Sequence, residues 1–155
     1  MTETAPPESP PAQLGSDEFD RLAGGFRRAA AISSVVESRY RMAGRIVRLR
    51  VAGHRLATAV GRPLAHLRIQ DPSGAPSLAM DLWDEAATGI SCEGCELGSE
   101  PEAPGSVTVY EGARHVLHVS PSVRTVMDRA NGHLVGWVGS RDRLTQYELG
   151  RPLHS

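Results

Sequence analysis

Between residues 107 and 138, four short apolar runs (107–110, 115–119, 123–129 and 133–138) are separated by turn residues at Glu111-Gly112, Ser120-Pro121 and Ala130-Asn131-Gly132. Runs this short have the length of strands, and Asn-Gly between two apolar runs is a strong hairpin signal. That rhythm confines this part of the chain to an antiparallel meander.

The two-residue period also occurs further upstream. In residues 46–51, Val47, Leu49 and Val51 point one way while Arg48 and Arg50 point the other. This is the pattern of a half-buried strand with a charged outer face. Ala52-Gly53 ends it, and residues 54–61 read as one or two helical turns. Residues 64–70 resume the alternation with Ala65, Leu67 and Ile69 inward; Leu78, Met80 and Leu82 then alternate against Ala79, Asp81 and Trp83. With Asp71-Pro72-Ser73-Gly74 between them, these two runs predict a hairpin.

Helical spacing is clearest near the start. Ser16 can cap a helix beginning at Asp17, with Phe19, Leu22, Phe26, Ala29, Ala30 and, at its end, Ser33 near one face. Gly24-Gly25 weakens or splits it. Residues 1–16, rich in Pro, Glu and Ala, offer too little apolar surface to offset ordering entropy and predict a disordered tail. Residues 88–106 have no period and read as a surface loop; 144–155 read as a linker or the start of a further domain. The expected fold is α+β, an N-terminal helix followed by a mainly antiparallel sheet of five to seven short strands, in one domain over residues 17–143.

Composition matters most through an absence: all 17 basic residues are Arg. A Walker A loop reaches the β/γ-phosphates with Lys, and Schiff-base chemistry needs an amine that can lose its proton. Neither is available to a chain whose basic side chains are all guanidinium groups. The charges are also blocked. Residues 1–20 hold five acids and no Arg, 21–70 eleven Arg and one acid (Glu37), 71–113 nine acids and no Arg, and 114–155 six Arg and three acids. The net charge of −1 gives no general pull toward nucleic acid or membrane. The blocks are expected to face one another across a sheet or stay solvated; the functional alternative makes Arg39, Arg41, Arg45, Arg48 and Arg50 a phosphate-binding surface.

Candidate chemistry is sparse. Cys92-Glu93-Gly94-Cys95 could bite a zinc ion, but a structural site needs two further ligands. His115 and His118 sit in an alternating run, where positions three apart face opposite ways. Redox use of the cysteines is opposed by Glu93, Glu96 and Glu100, which raise thiol pKa values. Incidental loop cysteines are the expectation. Asp81 and Asp84 point apart on a strand, and Asp84 and Glu85 are better suited to capping a turn than to acid/base work. Trp83 and Trp137 are expected as core or interface anchors. No Gly-x-Ser-x-Gly elbow occurs, and Gly136-Trp137-Val138-Gly139-Ser140 lacks the spacing of a dinucleotide fingerprint. No catalytic, cofactor-binding or metal-ligating residue is assigned, and no cofactor is expected. No apolar run reaches the roughly 18–20 residues that span a bilayer, and the N-terminus lacks a signal peptide's charged and apolar regions. A cytoplasmic protein is expected.

Four stretches carry a family resemblance: Tyr40-Arg41-Met42-Ala43-Gly44 leading into Val47-Arg48-Leu49-Arg50; Leu82-Trp83-Asp84; residues 132–138 with Gly136-Trp137-Val138; and Tyr147-Glu148 with Arg151-Pro152-Leu153. Together they resemble the N-terminal part of bacterial proteins related to HPr kinase/phosphorylase, a serine kinase-related group often found beside biosynthetic clusters. In that family the Arg-Pro-Leu stretch precedes a helix, a strand and the Walker A loop, so a kinase domain would lie beyond residue 155. The resemblance implies a non-catalytic accessory domain that positions a substrate or partner, and not an enzyme by itself. The expected partner is a protein, either a kinase-like domain or a product of the neighbouring cluster. Membrane binding is not expected, nucleic acid is disfavoured, and a homo-oligomer stays open. Two other readings also stand: a stand-alone small-molecule or metal-binding protein using Cys92, Cys95 and a histidine, and an Arg-rich nucleic-acid module.

Overall fold

The alternating runs form strands, but their order differs from a simple meander. A computed structural model describes residues 12–70, 74–92, 108–120 and 122–139. Its strands are β1 (Val35–Met42), β2 (Arg45–Ala52), β3 (Leu78–Asp84), β4 (Thr108–Glu111), β5 (His115–Val119), β6 (Val123–Asp128) and β7 (His133–Val138). They make one sheet in the order β1-β2-β3-β7-β6-β5-β4. The helices are α1 (Ala12–Ile32), α2 (His54–Gly61) and α3 (Glu85–Thr88).

The protein is therefore α+β, with a sheet that is mixed instead of mainly antiparallel. β2 pairs parallel with β3, and β3 with β7. The expected meander is present as β4-β5-β6-β7, antiparallel throughout. The expected hairpin between 64–70 and 78–83 does not form. Residues Arg62–Leu67 instead continue α2 as a 3-10 helix with Pro63 in its first turn, where a missing N–H costs nothing. Arg68 then bridges to Tyr40, and Ile69 N–H donates to the Arg39 carbonyl at 2.9 Å, covering part of the outer edge of β1. A parallel β2–β3 pair follows, because the chain crosses a sheet face before re-entering.

α1 starts at Ala12, ahead of the expected Asp17, and runs unbroken through Gly24-Gly25. Leu22, Phe26 and Ala29 recur at helical spacing and are buried against Trp83, Val126 and Val135. The opposite sheet face carries α2, with Leu56 and Val60 packed over Val47, Leu49, Val51, Met80 and Leu82. Burying one such side chain stabilises by about 1.5–3 kcal/mol. Two apolar layers thus sandwich the central strands. Among the described residues, no helix is long and apolar enough to cross a membrane. Of the expected tail over 1–16, residues 12–16 are instead the first part of α1 and 1–11 lie outside the described residues; so do 93–106 of the expected loop over 88–106, with Cys95, and the linker over 144–155.

Candidate functional site

Strand register brings distant polar residues into rows on the face that carries α1. Arg39 lies opposite Arg48, Arg48 opposite Ala79, Ala79 opposite His133, His133 opposite Asp128, and Asp128 opposite His115. In the next row Glu37, Arg50 and Asp81 are consecutive neighbours. α1 covers the apolar continuation of that second row and leaves the polar end beside it. Ala79, the smallest residue of the first row, lies between Arg48 and His133.

One carboxylate organises this polar end. Asp81 accepts from Arg50 Nε and Nη2, both at 2.7 Å, and lies 2.8 Å from His133 Nε2. Burial opposes ionisation of Asp81, but the hydrogen bonds from His133 and Arg50 and the Arg50 charge outweigh it and hold its pKa below the ordinary value. The bidentate hydrogen bond to Asp81 raises that of Arg50 in turn. Aromatic rings complete the α1 side. Phe26 lies under the Arg50 guanidinium at 5.2 Å, and Phe19 meets the His133 ring edge-on at 5.3 Å. Arg50 and His133 each keep roughly a third of their side chain exposed, so donors fixed from behind still face solvent.

Arg48 is the anomaly. Its Nε is sequestered without a hydrogen bond, and the nearest carboxylate oxygen paired with it, Glu37 Oε1, is 3.8 Å away. A buried donor left unmade costs about 1–3 kcal/mol, so this end of the sheet face carries an unmet demand for an acceptor.

A neighbouring cluster braces the far end of the row. Asp128 accepts from Arg114 Nε and Nη2 at 3.1 Å, from Asn131 Nδ2 at 2.9 Å and from the Ala130 N–H at 3.0 Å. The Arg114 guanidinium is the main cause holding the Asp128 pKa at about 2, against an ordinary value of 3.8. Because the folded value is the depressed one, its contribution to stability is complete above pH ~4 and is lost as pH falls toward 2. Acid unfolding followed by circular dichroism should therefore show a stability slope between pH 4 and 2 that flattens in Asp128→Asn. An unchanged slope would mean that the Arg114 pair contributes nothing to folding.

The residues weighed from sequence separate. Asp84 caps α3, accepting from the Ala86 N–H at 3.0 Å, and Glu85 accepts from Trp137 Nε1 at 2.8 Å. Trp83 is fully buried and donates to the Ile90 carbonyl at 2.9 Å, so it is the expected core anchor. His115 faces α1, 6.3 Å from the Phe19 ring, whereas His118, three residues on, belongs to the opposite face. Cys92 is disulfide-bonded, and Cys95 is the other cysteine of the sequence. Among the described residues, no three His, Cys, Asp or Glu side chains gather as metal ligands. Of the basic stretch, Arg39, Arg41, Arg48 and Arg50 share the α1 face, and Arg45, opposite Met42, lies on the other. Basic and acidic blocks do meet across the sheet, most directly at Arg50–Asp81. His133 was not singled out from sequence; its one signal was a polar residue opening an otherwise apolar strand. No protein family, curated protein or solved structure matches the chain.

Proposed function

We propose that this protein is a non-catalytic accessory domain whose α1-side polar cluster receives an anionic group, phosphate or carboxylate, from a substrate or partner protein. That is the role implied by its resemblance to the N-terminal part of HPr kinase-like proteins. The observation that carries the reading is the unmet Arg48 Nε donor beside Arg50 and His133, two donors already fixed by Asp81. A bound anion would accept from Arg48 once that side chain turns its sequestered Nε–H outward, while Arg50 and His133 are already held in place by Asp81.

Nitrogen-15 spectra of the arginine Nε–H groups test this directly. Titration with inorganic phosphate, phosphoserine or citrate should shift the Arg48 and Arg50 signals saturably. Arg48→Ala should weaken binding about ten- to a hundredfold, the worth of a charge-assisted hydrogen bond. If none of the three anions moves either signal at millimolar concentration, the reading fails. Turnover of ATP by the same preparation, abolished by a single substitution, would defeat its non-catalytic part.

A further inference from the structure

A cavity lies on the other face of the sheet, away from the Arg48 cluster. It encloses about 400 Å³, near the lower end of the range for small-ligand sites. Met42, Met80, Met127 and Leu78 supply apolar wall, and Arg45 and Arg129 also line it. Met80 is almost fully buried, whereas Met42, Leu78 and Met127 are partly buried, so the walls pass from core to surface. Methionine side chains are unbranched and polarizable, and they repack around flexible apolar occupants more readily than branched residues do.

The two arginines are not equivalent. Arg129 is engaged by the Glu111 carboxylate and the Gly112 carbonyl. Arg45 is exposed and has no ion-pair or hydrogen-bond partner among the described residues. The cavity therefore joins an apolar interior to one uncompensated positive charge. We propose that it binds a medium-chain alkyl carboxylate, with the chain among the methionines and the carboxylate on Arg45. An uncharged chain would gain nothing from Arg45, and a compact polar anion would gain nothing from the methionine walls.

The test is calorimetric titration of the full chain with hexanoate, octanoate and octanol below their aggregation limits. Methionine methyl resonances are followed in parallel. Octanoate should bind saturably, more tightly than hexanoate by about fourfold per added methylene. The Met42, Met80 and Met127 methyls should shift together. Arg45→Gln, at an exposed position with no partner to disturb, should weaken octanoate about tenfold and leave octanol unchanged. Octanol binding as tightly as octanoate, equal octanoate affinity in Arg45→Gln, or shifts away from these methionines would overturn the assignment. A shift of the same methyls on concentrating the protein alone would give the cavity to a second copy of the chain, and would also overturn it. None of these outcomes bears on the Arg48 cluster.

Discussion

Glu18→Ala is expected to cost about 3–5 kcal/mol, the largest loss from any single substitution considered for this fold. Glu18 is fully buried under α1, with Oε2 3.0 Å from Arg124 Nε and Oε1 2.7 Å from Arg21 Nη1. Arg124 is equally sequestered, so removing the carboxylate strands a guanidinium in the interior. Against a typical domain stability of about 5–15 kcal/mol, the loss should move the urea midpoint far toward zero. Replacing both partners, Glu18→Leu with Arg124→Leu, should recover most of it, because no charge is then left uncompensated. A Glu18→Ala loss below about 1 kcal/mol would show that water reaches the pair.

The paired glycines of α1 should respond with opposite signs. An added Cβ at Gly25 would meet Trp83 Cη2 and Cζ2 at 2.6 Å, inside any real contact distance. Gly25→Ala should therefore cost about 1–3 kcal/mol through overpacking, even though alanine favours a helix. At Gly24 the nearest atom is Arg28 Nη1 at 3.5 Å, an ordinary contact with the end of a flexible side chain. Gly24→Ala should gain about 0.5–1 kcal/mol. Thermal unfolding of the two variants separates them, and a shift of the same sign in both would refute the close approach of α1 to Trp83.

These glycines also show where sequence reading stops. Their spacing marks a weak helix, but only the position of Trp83 reveals that one of the pair is needed for packing. The C-terminal meander was legible because local alternation and turn chemistry agree there, from His115 through the Asn131-Gly132 turn. Strand β1 went unread because its buried face carries Ser38 and Tyr40 between Val36 and Met42, too polar to show a clear period. Residues 64–70 misled in the opposite direction. Ala65, Leu67 and Ile69 alternate, yet Leu64 is the one residue of the 3-10 helix that is buried. Alternation correctly put Arg48 and Arg50 on one face. Their meeting with Asp81 and His133 was beyond reach, since it depends on two parallel pairings between segments far apart in sequence.

The Glu18–Arg124 bond closes over 106 residues and has a consequence for synthesis. At ribosomal speeds of 5–20 residues per second, α1 waits roughly 5–20 s before β6 exists to receive it. During that interval Leu22 and Phe26 lack the sheet they are built to cover, and the nascent chain presents an oily stripe on an emerging amphipathic segment. Holdase chaperones recognise such stripes, so yield in the cell should follow chaperone supply more closely than the finished domain's equilibrium stability.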